Sequence, residues 1–380
     1  MAVLQRRHAS GEDAQRVQTM QEDAKNILIV APQHDTHAAT IAAMIGAAGH
    51  RVNLFDSSAW PSGLGGSMLC DTHGARFVRD GSPLRYDTAW CRRLLFKKPA
   101  PAGVREQDVG FIRSEGMLFD LGALAVMGSG VGVQRWINAP MQALMADQKA
   151  LQLAIAASSG LRIPRTLISH RAEDIRHFRD REPEGVVVKP FNVGAWSENS
   201  GYSVSYATRI RIEEPLADGD VSACPTNYQE VVRHRGDVRI VCLQGEYVAV
   251  KMTHALEGEI DYRAVRHKTA ITYAETALPD GLLAKLERLR QTLAIDFFCA
   301  DFLVPADGGE LVFIELNPGG QFLYLDQRLA QLDIARRFCA LLVHGATARY
   351  QEFERPMAAV PSAQAPTRAS TPSEANSLCE

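Results

Sequence analysis

FFCADFLVPADGGELVFIELN, residues 297–317, decides the reading of this chain. Two apolar runs flank the turn sequence Pro305-Ala306-Asp307-Gly308-Gly309, so the stretch is expected to form a β-hairpin. Asp301 and Glu315 stand almost symmetrically about that turn and should meet on adjacent strands. Asn317, two residues past Glu315, then points to the same face. Three oxygen donors on one face suit Mg²⁺, which prefers hard oxygens and keeps room for waters and phosphates. Taken alone, the same residues also describe a solvated hairpin with surface acids. Against that, acids on strands this apolar are rarely buried without a partner.

Working outward, DVRIVCL and EYVAVKM flank Gln244-Gly245, a tight-hairpin signal. Just before them, TNYQEVVRHRG runs extended into a turn at Arg235-Gly236. Its Gln229-Glu230-Val231-Val232 segment could pair its backbone with an adenine edge, Asp237 could reach a ribose and Arg239 a phosphate. By itself the segment also fits an edge strand with a charged turn. Lys189 ends the buried strand GVVVKP, followed by a glycine-containing loop, where an ammonium can be aimed at phosphates or can snorkel to solvent. Lys149 lies in MADQKALQL, within a helix expected over Met141–Ser158.

Toward the N-terminus, ILIVAP, HDTHAATIAAMIGAAGH and RVNLFD read as strand, small-residue helix and strand, a βαβ unit on a parallel sheet. His34, Asp35 and His37 invite a metal reading. Asp35 is better read as the N-terminal cap of the helix. A helix is expected over about 105–128, another at DGLLAKLERLRQTLA, and a last one from Gln327 to His344. The polar start of the chain and the Ala-, Pro-, Ser- and Thr-rich end read as disordered tails. The domains are therefore expected at 26–137 and 138–349, with tails at 1–25 and 350–380.

Net charge is −3, which gives no general reason to expect nucleic acid. No apolar run reaches the length of a membrane span, and the N-terminus has no apolar core segment of a secretory signal. The seven cysteines form no CxxC pair, and five sit in apolar surroundings, which points to reduced thiols and the cytoplasm. No Ser/His/Asp or Cys/His set stands out for covalent hydrolysis.

The order of the pieces resembles the ATP-grasp superfamily: a helix lysine, a strand ending in Lys-Pro with a glycine loop, a Gln-Glu hinge, Gly-Asp-x-Arg, then Asp…Glu-x-Asn on a hairpin. The resemblance covers about residues 138–345 and implies an α/β chain of α+β modules, an ATP-grasp fold behind an N-terminal βαβ pre-ATP-grasp domain. It implies ATP and Mg²⁺ as cofactors. Lys149 and Lys189 would contact phosphates. Glu230 would accept from the adenine amino group beside the backbone of Val231 and Val232, and Asp237 would sit near the ribose. Asp301, Glu315 and Asn317 would hold magnesium, and Arg239 would stabilise the transferring phosphoryl group. The loop NVGAWSENSGYS departs from the glycine-dense pattern, because Gly194 and Gly201 are far apart. That weakens any carry-over of loop contacts to phosphate.

INAPMQALMADQKALQLAIAASSGLRIPRTLIS, KPF…GYSVSYATRI, EIDYRAVRHK and ELNPGGQF are further similar to the ATP-grasp maturases of ribosomal peptides, the microviridin or graspetide ligases. So are ILIVAPQHDTHAATI and WCRRLLFKKP. That resemblance implies a precursor peptide, leader plus acidic core, whose Asp or Glu side chains are joined to Ser, Thr or Lys side chains. It allows a homodimer. Arg263 and Arg266, in a basic segment after the strand at 246–252, are candidates to hold the acyl phosphate or substrate carboxylate by bidentate pairing, against the alternative of a solvated loop. Three other functions share these residues in whole or part: a ligase that adds amino acids to a protein C-terminus or couples small amino acids, a phosphotransferase, and a non-catalytic ATP-binding regulator.

Overall fold

The computed structural model describes residues 24–95, 98, 100–191, 207–253 and 270–356, with the backbone of 195–198 and 201–204. Arg263 and Arg266 lie outside the described residues.

The chain opens with β1 (Asn26–Ala31), α1 (Thr36–Ala47) and β2 (Arg51–Asp56). A small antiparallel sheet follows: β3 (Ser67–Asp71), β4 (Gly74–Arg79) and β5 (Ser82–Pro83). Next come β6 (Tyr86–Cys91), α2 (Glu106–Gly128) and β7 (Val133–Ile137), completing a parallel sheet of order β2-β1-β6-β7. Both faces of β1 are apolar because both are covered. Ile27 and Ile29 enter one core, while Leu28 and Val30 enter another. Asp35 caps α1 as its position suggests, accepting from the Ala38 amide at 2.9 Å.

The helix expected over Met141–Ser158 is two helices, α3 (Pro140–Ala146) and α4 (Lys149–Ser158). Gln148 is extended at the break. Gln152 seals it by donating Nε2 to the Ala146 carbonyl at 2.7 Å. Then come β8 (Thr166–Ser169), α5 (Ala172–Arg179), β9 (Val186–Lys189), β10 (Ala195–Glu198), β11 (Gly201–Val204), β12 (Thr208–Ile210), α6 (Asp218–Ser222) and β13 (Thr226–Glu230). Strands β12-β9-β13-β8 make one antiparallel sheet, and β10-β11 is a separate ribbon.

The remaining elements are β14 (His234–Leu243), β15 (Glu246–Thr253), β16 (Thr272–Glu275), α7 (Leu282–Leu293), β17 (Phe297–Pro305), β18 (Val312–Asn317), α8 (Leu323–Arg328) and α9 (Ile334–His344). They form an antiparallel sheet of order β16-β15-β14-β17-β18. Both expected hairpins are present. Gln244 (φ 55°) and Gly245 (φ 91°) take the positive φ that a two-residue turn between β14 and β15 requires. The expected last helix is broken between α8 and α9, where Asp333 adopts φ 50°. The carboxylate of Asp326 bonds the first amides of α9 at 2.9 and 2.7 Å.

This sheet is covered on both sides. Val238, Ile240, Ala300 and Phe302 pack with Leu153 of α4 and Leu286 and Leu289 of α7. The opposite face, through Val241, Phe297 and Cys299, shares a core with Ile27, Trp90 and Phe338. The Trp90 and Phe338 rings stand 4.7 Å apart. One core therefore joins the N-terminal parallel sheet to the C-terminal sheet. Of the six described cysteines, Cys91, Cys242, Cys299 and Cys339 are buried, and Cys70 and Cys224 are exposed. Among the described residues no helix is long and apolar enough to cross a membrane.

Candidate active site

The central sheet brings the hairpin acids together. Asp301 pairs with Glu315 across β17 and β18, and with Arg239 across β17 and β14. Asn317 stands opposite Cys299. A bulge follows, because Phe302 pairs with Phe313 and one extra residue lies on β18. The bulge lets Glu315 share the Asp301 face while Phe302 and Phe313 both enter the core beneath. Asp237, two residues before Arg239, stands opposite Leu303. Asp237, Arg239, Asp301, Glu315 and Asn317 thus share one sheet face, as period-two alternation requires.

Two cations already answer the acids. Arg239 Nη1 donates to both Asp301 oxygens, at 2.7 and 2.8 Å. Its side chain is 7% exposed, and its guanidinium lies 6.0 Å from the Tyr324 ring. Lys149 Nζ lies 3.3 Å from Glu315 Oε2. The break between α3 and α4 starts α4 at Lys149, beside the sheet edge.

Lys189 ends β9 and faces Asn227 on β13, so it lies in the smaller antiparallel sheet. Glu230 ends the same β13, with half-buried Val231 and Val232 beyond it. The Glu230 carboxylate is engaged by Arg165 Nε at 2.9 Å, and Arg165 Nη2 meets Glu182 at 2.6 Å.

Two buried amides hold the hairpin in place. Gln152 accepts from the Leu316 amide at 3.0 Å and donates to the Leu316 carbonyl at 2.7 Å, gripping β18 between Glu315 and Asn317. Asn138 accepts from the Asp296 and Phe297 amides at 2.7 and 2.9 Å. It donates to the carbonyls of Phe297 at 2.6 Å and Pro318 at 3.0 Å. Neither residue was singled out by its sequence. Their only signal there is a polar side chain in an otherwise apolar setting, INAP and ALQLAIAA.

His37 has a structural use. Its Nε2 accepts from the Phe322 and Leu323 amides at 3.1 and 3.2 Å. Burial and the nearby Arg92 bring its pKa down to about 4, with Arg239 and Arg93 acting the same way and Asp35 opposing. Asp326 moves the other way. Burial raises it to about 6, against the amides of Ala335 and Ile334, with Asp333 adding and Arg355 opposing.

The two shifts have opposite consequences in acid. A depressed histidine gives stability that is present above its unfolded pKa and lost as pH falls from about 6.5 to about 4. A raised carboxyl recovers stability as pH falls from about 6 to about 3.8. Each is worth up to about 3 kcal/mol. The two contributions therefore largely cancel between pH 6.5 and 4. Denaturant unfolding at several pH values should show Asp326→Asn losing stability more steeply over this window than the parent, and His37→Gln less steeply. Equal slopes in all three proteins would overturn this assignment.

The donor set fits magnesium and a nucleotide in kind. Two carboxylates and an amide oxygen leave most of an octahedral shell to phosphates and water. Consistent with so few acids, no group of three or more His, Cys, Asp and Glu is arranged to hold a metal among the described residues.

No family model and no curated protein matches the sequence. Solved structures do. One is the macrocyclase MdnC of Microcystis aeruginosa MRC, bound with precursor peptide MdnA: 22% identity, TM-score 0.68, 84% of this chain and 100% of that chain covered. Another is a RiPP-associated ATP-grasp ligase of Chryseobacterium gregarium in complex with ADP and a leader and core peptide: 20% identity, TM-score 0.70, 85% and 97% covered. A third is the ATP-grasp ligase PsnB complexed with minimal precursor: 21% identity, TM-score 0.64, 84% and 99% covered. The chain has the ATP-grasp fold, and the likeness extends over both the N-terminal parallel sheet and the two antiparallel sheets behind it.

Proposed function

We propose that this protein is an ATP-dependent ligase that activates Asp or Glu side-chain carboxylates of a ribosomal precursor peptide. It joins them to Ser, Thr or Lys side chains of the same peptide as esters or amides. The observation that carries the reading is the shared sheet face of Asp301, Glu315, Asn317 and Arg239, with Lys149 at its edge. The peptide substrate is supported by the solved neighbours described with bound precursors and by the motifs shared with such maturases.

Magnesium-bound ATP supplies the phosphoryl group that turns a poor leaving group, oxide, into phosphate. The chain's residues do the rest. Asp301, Glu315 and Asn317 hold magnesium, and Lys149 and Lys189 meet phosphate oxygens. The hinge at Glu230 to Val232 receives the adenine through its backbone, with Asp237 near the ribose. Arg239, fixed by both oxygens of Asp301, presents a rigid positive charge beside the phosphoryl group in transfer, where alignment and charge neutralisation are most of the catalysis. A substrate carboxylate oxygen bonds to the terminal phosphorus as its bond to ADP breaks. A hydroxyl or amine then attacks the acyl carbon, phosphate leaves, and the nucleophile loses its proton. In this proposal Arg263 and Arg266 hold the activated carboxylate.

ADP release measured with and without candidate acidic peptides tests the reading. Release that depends on both magnesium and a peptide carrying Asp or Glu with Ser, Thr or Lys is expected. Nucleotide binding with no peptide that stimulates release would favour a regulator instead.

A further inference from the structure

The turn after β18 is held at its start by Asn138, which donates to the Pro318 carbonyl at 3.0 Å, and by the Gly320 amide on the Asn317 carbonyl at 3.1 Å. Pro318-Gly319-Gly320-Gln321 connects β18 to α8, and α8 has no side-chain cap from its own flanking residue. Gly319 meets the N-terminal segment just past β6, and Gly320 lies against β17. A Cβ on Gly319 would stand 2.3 Å from the Arg92 carbonyl and 3.0 Å from Arg92 Nη1. Gly320 takes φ +68°, and a Cβ there would lie 2.4 Å from the Phe297 ring. The backbone therefore runs flush against the end of β6.

His37 completes this contact from α1. One lone pair on Nε2 receives both the Phe322 and Leu323 amides, at 3.1 and 3.2 Å. The ring also meets Phe322 edge to face, centroids 5.4 Å apart. To accept at Nε2 the imidazole must be neutral with its proton on Nδ1. The helix start that bears His37 is fixed in turn: Asp35 caps it and pairs with buried Arg92 at 3.3 Å. Arg92 is the residue against which Gly319 lies. Asn138 thus holds the start of one short turn and His37 its end, with Arg92 packed against Gly319 between them, and Asn317 stands immediately before it. Tyr324, which lies under the Arg239 guanidinium, is two residues beyond Phe322.

We propose that His37 is a positioning residue: from the N-terminal domain it caps α8 and fixes the turn 318–322, and so sets Asn317 and Tyr324 for metal and phosphate binding. The proposal rests on the nucleotide-site reading and adds a residue to it. His37 acts through the backbone of Phe322 and Leu323.

The test compares His37→Ala with His37→Gln, whose amide oxygen can accept the same two amides. Two measurements are made on the full chain: amide hydrogen exchange over 319–325, and calorimetric binding of a non-hydrolysable ATP analogue at several magnesium concentrations. In His37→Ala, exchange at Phe322 and Leu323 should rise at least about tenfold, as expected when a buried hydrogen bond is lost. The magnesium concentration needed for analogue binding should rise by a similar factor. His37→Gln should restore most of both. Unchanged exchange at these two amides in His37→Ala overturns the cap. Faster exchange with an unchanged magnesium requirement overturns the link to the metal. A parent protein that binds no analogue at any magnesium concentration overturns the nucleotide-site reading itself, and the exchange data then still decide whether His37 holds the turn.

Discussion

Glu315→Ala is expected to fold normally and to lose its peptide-stimulated ADP release by roughly a hundredfold to a thousandfold, the range seen when one group stabilising transition-state charge is removed. The two halves of this result have separate origins. Glu315 is 28% exposed and its ion pair with Lys149 is 3.3 Å long at 19% exposure, so the pair contributes on the order of 1 kcal/mol or less. The core residues on either side of it, Phe313 and Leu316, stay in place. The expected catalytic loss follows from the proposed metal set, of whose two carboxylates Glu315 is one. Thermal melting and ADP release, measured on the same preparation, separate the two halves. A folded variant that keeps its turnover would remove Glu315 from the metal set.

Arg239→Met has the opposite balance, a large stability cost together with the loss of turnover. Arg239 is 7% exposed and binds both oxygens of Asp301, itself 24% exposed. Methionine fills much of the same volume but leaves the Asp301 carboxylate without that charge. Stranding one partner of a largely buried pair costs about 3 kcal/mol or more. For a chain of this size that lowers the melting temperature by roughly 4 °C. Two controls follow from the charge argument. Magnesium should recover part of the loss, because a metal ion at Asp301 replaces the guanidinium charge. The double variant Arg239→Met with Asp301→Leu should be more stable than Arg239→Met alone, since no carboxylate is then stranded. A single variant as stable as the parent in the absence of metal would mean that Asp301 is neutralised by other groups.

The parts of this fold that follow from local chemistry were legible in the sequence. Turn residues between apolar runs gave both hairpins, and the symmetry of Asp301 and Glu315 about their turn gave the register that pairs them. Alternation put Asn317 on the same face. The βαβ start, with Asp35 as a cap, was equally local. What was missed depends on contacts distant in the chain. The helix expected from Met141 to Ser158 has strong local propensity throughout. It breaks at Gln148, and Gln152 ties the break to Leu316, 164 residues away. The helix expected from Gln327 to His344 breaks at Asp333, which takes a positive φ. His37 looked like half of a weak metal motif, and its actual partners are 285 and 286 residues further on. The ion pair of Glu230 with Arg165, 65 residues before it, was equally out of sight. Pairings of this range leave no periodic trace, so the hairpin that pairs Asp301 with Glu315 was legible and the scaffold that holds it was not.

The measurement that tests the central claim most directly is the intact mass of acidic precursor peptides after co-expression with this protein, beside the same peptides co-expressed with Glu315→Ala. The account predicts loss of whole waters, one for each crosslink, with the parent enzyme and an unchanged mass with the variant. A gain of amino-acid units would contradict it in favour of a tailing ligase, and a stable added phosphate would contradict it in favour of a phosphotransferase. Water loss that persists with Glu315→Ala would show that the chemistry does not run through this site.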